Sequence, residues 1–581
     1  MIICGLKLTH DGAIALIDNG KLIFSYEMEK LNNNGRFSSL STYYSKQLVS
    51  DILGENGYRI DDVDQFVIDG WGDHDSENTS NHDYPPFKTM LPQSEKERFE
   101  IELAGYGLLV KDENILERKL FSYPDYNFEY SSYLHTAGHV LSGYCSSPYA
   151  KQGEDAYVLA WDGGMFPQVF YVNAKTRKVD NLGTIFNLLG ISYAAFATNY
   201  KPYNKYSVDD GSVAGKVMAY IALGKCNDEA LAEFKRLFEV QEQEIASRPD
   251  LKSKEIIAYT SKLLSEFVIY GELNDVDGVD MMATFHVFLQ DVLLERLTKL
   301  VDKQTDRMPN FCFVGGCALN IKWNSNIRNS GLFNDVWVPP FPNDSGSAIG
   351  AACCEMFVTE GRLAFDWDVY SGPFSKEGEF DLENWGKTAC SLTDLAQLLH
   401  EYDEPVVFLN GRAELGPRAL GNRSILAAPV NPSMKEELNR GKNREAYRPV
   451  APICKEDKAM EIFTPGSSDP YMLFDHRVRP EWIDKIPAIC HLDGTARLQT
   501  VSREGNAQIY DLISAYEALS GVPLLCNTSA NFNGKGFFPD VKSVMEWGEV
   551  NMIWHDGHIY VKRNSTIFST SILFKKDLNL A

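Results

Sequence analysis

Apolar runs open the chain as strand, turn and strand: Ile2-Ile-Cys-Gly-Leu-Lys-Leu, then His10-Asp-Gly, then Ala13-Ile-Ala-Leu-Ile. Asn19-Gly separates these from Lys21-Leu-Ile-Phe-Ser-Tyr. Asn-Gly between β-rich runs predicts a two-residue hairpin, because both turn positions require positive φ. A second version follows at Ala156-Tyr-Val-Leu-Ala-Trp-Asp-Gly-Gly and continues to Gln168-Val-Phe-Tyr-Val. Two strand–turn–strand units, each with Asp-Gly at the turn, point to a duplicated half. Two unrelated hairpins are the competing account.

From about residue 226 to 305 the apolar residues recur at spacings of three and four, as in Asp228-Glu-Ala-Leu-Ala-Glu-Phe-Lys-Arg-Leu-Phe, which predicts long helices. Phe311-Cys-Phe-Val-Gly-Gly reads as a buried strand ending in a glycine turn, and Ser345-Gly-Ser-Ala-Ile-Gly-Ala-Ala-Cys-Cys as a tightly packed helix. Residues 360–395 are polar and irregular, a connection between domains. Beyond it come the strands Pro405-Val-Val-Phe-Leu and Val522-Pro-Leu-Leu-Cys-Asn, and a last hairpin of Met552-Ile-Trp and His558-Ile-Tyr-Val about Asp556-Gly.

Length changes this picture first: 581 residues exceed what one hydrophobic core organises, so two or three domains are expected. The formal charge of −24 opposes a general affinity for nucleic acid or anionic membrane, both of which need a positive surface field. An anionic substrate must then be gathered by a local cluster of cations. The 11 cysteines show no C-x-x-C spacing, and Cys353 and Cys354 are too close for an ordinary bridge. With no apolar run of about 18 residues and no signal-like start, a cytoplasmic protein with reduced thiols is expected, and membrane partners are not.

Four constellations carry candidate chemistry. His135 and His139 lie four apart in Ser132-Tyr-Leu-His-Thr-Ala-Gly-His, so a helix places both on one face. Thr136 stands where a zinc-protease motif has glutamate. Asp162 and Asp344, at turns after strands, are the natural carboxylates to complete a site suited to iron, manganese or zinc. A pair of core histidines is the plainer account. Second, Gly315-Gly-Cys-Ala-Leu-Asn and Asp162-Gly-Gly expose backbone N–H groups to a nucleotide or phosphate, and Gly215-Lys-Val-Met adds Lys216 without forming a P-loop. Ordinary turns would look the same.

Third, Gly411-Arg-Ala-Glu-Leu-Gly-Pro-Arg-Ala-Leu-Gly-Asn-Arg-Ser and Lys442-Asn-Arg-Glu-Ala-Tyr-Arg-Pro concentrate Arg412, Arg418, Arg423, Arg440, Lys442, Arg444 and Arg448 in an acidic chain. Guanidinium forks suit phosphate and carboxylate. Function is favoured for Arg418, Lys442 and Arg448, while Arg440 and Arg444 are equally served by pairing with nearby acids. Fourth, Cys526-Asn-Thr-Ser-Ala-Asn-Phe-Asn-Gly is a strand ending in a turn able to donate to an oxyanion or to satisfy itself.

Taken in order, Gly5-Leu-Lys-Leu-Thr-His-Asp-Gly, His135-Thr-Ala-Gly-His, Gly215-Lys-Val-Met, Gly315-Gly-Cys-Ala-Leu-Asn, Pro342-Asn-Asp-Ser-Gly, the Gly411–Leu426 string, Arg448-Pro-Val-Ala-Pro and Asn527-Thr-Ser resemble the O-carbamoyltransferases that decorate antibiotics and nodulation factors. The resemblance implies an α/β and α+β protein. Its N-terminal ASKHA domain (actin- and sugar-kinase-like, with duplicated halves) would span 1–356. A connecting segment 357–395, a YrdC-like domain 396–545 and an extension 546–581 packing back on the first domain would follow.

The resemblance also implies an enzyme that makes carbamoyl-adenylate from carbamoyl phosphate and ATP with Mg²⁺, then passes the carbamoyl group to a hydroxyl of a small natural product. Carried over by position, Arg418, Lys442, Arg448, Arg497, Asn527 and Ser529 would bind carbamoyl phosphate and ATP phosphates. His135, His139, Asp162 and Asp344 would hold a metal, most readily iron. Lys216, Gly315, Gly316 and Asn320 would contact the adenylate, and His10, with an ordinary pKa of about 6.5, would serve the acceptor hydroxyl. A homodimer is the default oligomer. Met28-Glu-Lys-Leu-Asn-Asn-Asn-Gly-Arg-Phe and segment 198–214 depart from the family pattern on the acceptor side. A kinase-like phosphotransferase or a nucleotide-binding regulator is the alternative, and either leaves the basic second half unexplained.

Overall fold

A computed structural model describes residues 1–43, 46–70, 87–92, 98–107, 114–123, 128–208, 210–301 and 308–574. Asp209, within the unusual segment 198–214, lies outside the described residues. The chain forms two compact units, one of Met1–Ser25 with Ser38–Asp368, the other of Tyr26–Phe37 with Val369–Ala581.

The two larger sheets of the first unit share one plan. Strands β1 (Ile2–Lys7), β2 (Ala13–Asp18), β3 (Lys21–Glu27), β4 (Gln65–Asp69), β5 (Lys119–Tyr123) and β6 (Phe128–Tyr133) are ordered β3-β2-β1-β4-β6-β5. Strands β7 (Ala156–Ala160), β8 (Gln168–Asn173), β9 (Lys178–Thr184), β10 (Asn310–Val314) and β11 (Asp335–Trp337) are ordered β9-β8-β7-β10-β11. In each, the first strand pairs antiparallel with the second and parallel with the fourth, which pairs parallel in turn with β6 in the first sheet and β11 in the second. This repeated order resolves the two hairpins as a duplicated half, the plan of actin- and sugar-kinase-like folds. Asn19 and Gly20 both take positive φ, as the Asn-Gly turn requires.

Helices α1 (His135–Cys145), α2 (Ser212–Tyr220), α3 (Asp228–Ala246), α4 (Ser253–Leu273), α5 (Gly278–Val301), α6 (Ile321–Asn329) and α7 (Ser347–Glu355) complete the unit's main helical framework. Their small residues set how closely they pack. A Cβ on Gly350 of α7 would overlap the Gly138 carbonyl of α1, and one on Gly5 of β1 would overlap the Ala348 carbonyl. Because α1 carries His135 and His139 while Asp344 directly precedes α7, this crossing fixes the separation of three candidate ligands. Gly350→Ala is expected to cost about 1–3 kcal/mol through overpacking and to lower Tm. A Tm equal to wild type would show that the helices part freely.

The second unit is built on a sheet of β12 (Trp385–Ala389), β13 (Val406–Leu409), β14 (Arg423–Ala427), β15 (Ala451–Lys455), β16 (Gln499–Val501), β17 (Leu524–Ser529), β18 (Met552–His555) and β19 (His558–Lys562), ordered β12-β19-β18-β13-β14-β17-β15-β16. Helices α8 (Leu392–Tyr402) and α10 (Ala507–Ser520), with α9 (Met434–Gly441) between them in sequence, bring Leu395, Leu399, Leu438, Leu512 and Tyr516 into its core. The terminal hairpin corrects the expected extension onto the first domain. Met552–His555 pairs parallel with β13 inside this sheet, because its residues are apolar and buried and need partners on both edges. The connecting segment likewise supplies β12, the edge partner of β19. Among the described residues, no helix is long and apolar enough to cross a membrane.

Candidate functional site

In the first unit, the parallel strands β1, β4, β6, β7 and β10 deliver their next residues to one locality, as open α/β sheets do at their carboxyl ends. From β1 come Lys7 and, just beyond, His10 and Asp11; from β4, Asp69; from β6, His135; from β7, Asp162; from β10, Gly315 and Gly316. His135, His139, Asp162 and Asp344 each offer one ligand atom, all within 4.8 Å of one another. The two imidazole Nε2 atoms stand 3.1 Å apart, and Asp344 Oδ1 lies 3.3 and 3.2 Å from them.

The surroundings fit a cation. Asp344 Oδ1 is buried and lies against the two imidazole Nε2 atoms without a well-aligned hydrogen bond to either. His135 turns Nδ1 to Asp69, at 2.8 and 3.0 Å from its two oxygens, leaving Nε2 toward the common point. Burial works against charge on His135, but the Asp69 and Asp344 carboxylates outweigh it and raise its pKa to about 9. Burial likewise opposes the Asp69 carboxylate, yet His135 and Lys7 draw it down to about 2. The two shifts are reciprocal: the buried carboxylates favour the charged imidazole, and the buried cations favour the charged carboxylate. Two imidazoles and two carboxylates are the mixed donor set that iron, manganese or zinc accept.

Asp162 is placed by its neighbours, Oδ1 accepting the Gly316 N–H at 2.5 Å and Oδ2 the Tyr106 hydroxyl at 3.3 Å. Gly315 has φ +90°, and a Cβ there would meet the Trp161 carbonyl, so the glycine turn is sterically demanded. Tyr106 also stacks on His135, with centroids 4.7 Å apart. Thr136, where a protease would carry its base, donates to the Tyr106 and Gly107 carbonyls and anchors the first turn of α1. His10 Nδ1 lies 3.0 Å from Asp11 Oδ2 and its Nε2 3.6 Å from Asp344. Burial lowers its pKa, but Asp11 and Asp344 raise it overall above the ordinary histidine value.

Two residues expected at the adenylate are engaged elsewhere. Asn320 caps α6, its Oδ1 accepting from the Lys322 and Trp323 N–H groups. Lys216 lies within α2 rather than at a turn, its amine donating to the Tyr206 hydroxyl at 3.0 Å and sitting over that ring.

The second unit gathers cations. Lys442 Nζ donates to the Ser529 carbonyl, to Ser529 Oγ and to Asn531 Oδ1, the last two at 2.6 Å. Arg444 reaches Thr528 Oγ1 at 3.1 Å and Ser529 Oγ at 3.3 Å. Arg448 and Arg497 act on the same group, and the Nε of Arg497 is buried without a hydrogen-bond partner. Asn527 commits its amide to Gln499 and the Ala419 carbonyl, leaving a buried Oδ1 unpartnered.

Desolvation and mutual repulsion depress Arg418, Lys442, Arg444 and Arg497. Arg418 is lowered to about 10 by burial and by Arg36, Arg448 and Arg444, and Arg444 to about 9 by burial, Arg448 and Arg497. Asp469 and Glu445 offset the charge in part. Arginine stays protonated even so, hence the cluster is a strong positive potential.

The loop carrying Arg418 is held by a buried acid. Glu414 Oε1 accepts the N–H groups of Leu420, Asn422 and Arg423 at 2.6, 2.9 and 3.1 Å. Arg412 and Arg423, members of the same basic stretch, bind backbone carbonyls of 371–373 and 410–422 and are structural.

Lys442 yields a pH-dependent expectation. Burial, Arg444, Arg36 and Arg448 hold its pKa well below the ordinary lysine value. A bound anion raises it again, so binding takes up a proton at pH values between the two. Calorimetry of sulfate binding at pH 8, in two buffers of different ionisation enthalpy, is expected to show net uptake that Lys442→Met removes. Identical heats in both buffers would refute it.

Sequence reading missed Asp69, Lys7, Asp11, Tyr106 and Arg36, and left Arg444 undecided. A lysine and an aspartate at the ends of otherwise apolar strands were the signal for the first two. Arg36 reaches the cluster on the Tyr26–Phe37 segment. Lys30 fastens that segment, donating to Glu27 and to the Glu414 and Gly416 carbonyls.

Comparison with known proteins adds the following. Residues 2–353 match the family model described as carbamoyltransferase N-terminus, and residues 396–555 the one described as carbamoyltransferase C-terminus. Nodulation protein U of Rhizobium tropici is 45% identical over 576 residues, covering 97% of this chain and 96% of that protein. Nodulation protein U of Sinorhizobium fredii is 43% identical over 581 residues, covering 97% and 100%. The 3'-hydroxymethylcephem-O-carbamoyltransferase of Amycolatopsis lactamdurans is 31% identical over 549 residues, covering 92% and 94%.

Proposed function

The chain belongs to the carbamoyltransferase family, and from that premise we propose that it is an ATP-dependent O-carbamoyltransferase with its two half-reactions in its two units. The second unit, read as YrdC-like, hydrolyses carbamoyl phosphate to carbamate and phosphate. It then joins the carbamate oxygen to the α-phosphorus of Mg²⁺-bound ATP, releasing pyrophosphate. The first unit transfers the carbamoyl group from the resulting adenylate to a hydroxyl of a small natural product, releasing AMP.

One observation supports this reading above the others: in a chain of charge −24, Arg36, Arg418, Lys442, Arg444, Arg448 and Arg497 influence one another in a single locality. Repulsion of that kind persists in a fold where polyanions occupy the place. A kinase-like enzyme using the first unit alone has no use for it.

In the first unit His135, His139, Asp162 and Asp344 would hold the metal, which the family resemblance makes iron. Such an ion would polarise the carbamoyl oxygen as a Lewis acid. The remaining roles belong to the chain. Asp69 accepts from His135 Nδ1 and fixes the ring with Nε2 outward. Asp11 orients His10 in the same way, so that Nε2 accepts the acceptor's proton as its oxygen attacks the carbamoyl carbon. The N–H of Gly316 and the hydroxyl of Tyr106 position Asp162.

The testing experiment incubates the protein with ATP, Mg²⁺ and carbamoyl phosphate and measures pyrophosphate and AMP. Pyrophosphate release that requires carbamoyl phosphate is expected. ADP as the sole nucleotide product would overturn the proposal in favour of phosphoryl transfer.

A further inference from the structure

Behind the four candidate ligands lies a fully buried ion pair. Lys7 is 0% exposed and Asp69 2%. The register that sets Leu6 beside Ile68 on parallel β1 and β4 brings Lys7 and Asp69 alongside at the strand ends. Lys7 Nζ is 3.1 Å from Asp69 Oδ2 and 3.2 Å from Asp344 Oδ2. Asp69 directs both oxygens at His135 Nδ1, and Asp344 presents its other oxygen to the two imidazole Nε2 atoms.

We infer that Lys7 is a positioning residue that sets the charge of the metal site, cancelling Asp69 and holding Asp344 by one oxygen, and thereby matches the site to a divalent rather than a trivalent ion. The count is direct. With neutral imidazoles, Asp162 and Asp344 contribute −2, while Asp69 and Lys7 sum to zero, so a divalent ion leaves the buried group neutral. Without Lys7 the same group carries −3, which a trivalent ion balances, and in a dry interior an uncompensated charge is strongly disfavoured. Lys7 has no exposed surface through which to meet substrate. Its effect therefore passes through Asp344 and the ion.

This inference rests on the reading of His135, His139, Asp162 and Asp344 as metal ligands, and the test separates the two. The full-length protein is loaded with Fe(II) under anaerobic conditions, and the Fe(III)/Fe(II) midpoint is measured for wild type, Lys7→Met and the double variant Lys7→Met/Asp69→Asn. Lys7→Met is expected to gain at least about tenfold preference for Fe(III) over Fe(II), a fall of about 59 mV per tenfold for one electron. The double variant restores the −2 count, and the amide oxygen it places at position 69 still accepts from His135, so its midpoint should return to within about 30 mV of wild type.

An unchanged midpoint in Lys7→Met, or a double variant no closer to wild type than the single one, would show that Lys7 only fills space. Failure of Lys7→Met to fold while the double variant folds with the wild-type midpoint would still place the charge balance with Lys7. Wild type that takes up no iron, or loses none on His139→Ala, would remove the metal reading together with this inference.

Discussion

Arg448→Ala should lower carbamoyl-phosphate-dependent pyrophosphate release by at least about 100-fold, the loss typical of removing one preorganised donor from a developing oxyanion. The reason lies in how the second unit is charged. Arg448 depresses Arg418, Lys442, Arg444 and Arg497 alike, so it faces all four. It is itself only a quarter exposed, and Glu445 is its acidic neighbour at 3.8 Å. On the proposed reading, removing it takes a guanidinium fork from the group that would neutralise two phosphate species in one place. It also relieves repulsion on the remaining cations, so the folded protein should be no less stable than wild type. Loss of turnover with retained or raised Tm is therefore the specific signature. Pyrophosphate release within threefold of wild type would exclude the cluster as the adenylating site.

His139→Ala should act on the other half-reaction. It removes one of two imidazoles that share Asp344 Oδ1 and leaves that oxygen with a single nitrogen partner. Metal content should fall well below one ion per chain. Formation of the O-carbamoyl product should drop by at least about 100-fold, since changes in outer-shell partners alone cost about 10–100-fold. Pyrophosphate release should persist, because none of its candidate residues lies in the first unit. Equal loss of both half-reactions would mean that metal and adenylation are not separable. Normal product formation without metal would reduce the cluster to a structural ion-pair network.

Much of this was legible locally. The Asn19-Gly20 and Asp556-Gly557 hairpins were read correctly because two-residue turns are decided by the φ of the turn residues themselves. The His135–His139 face followed from helical spacing, and α3, α4 and α5 from their apolar period. The duplicated half was visible as two similar hairpins. It became a conclusion once the strand orders of the two sheets coincided.

The amino-acid sequence by itself thus determined the elements, the family resemblance carried by ordered motifs, and the density of cations between 412 and 448. Tertiary structure decided which charges meet. No spacing rule links Lys7 to Asp69 and Asp344, or Arg36 to Arg418, because those pairs form where strand ends and loops distant in sequence converge. It also distinguished Arg444, which joins the cluster, from Arg412 and Arg423, which bind backbone carbonyls, although all three are arginines in one basic stretch. The same holds for the terminal hairpin: its apolar period fits a strand in either unit, and the open edge of β13 determined its place. Propensity and period act over a few residues, whereas partner choice depends on burial and charge balance over the whole chain.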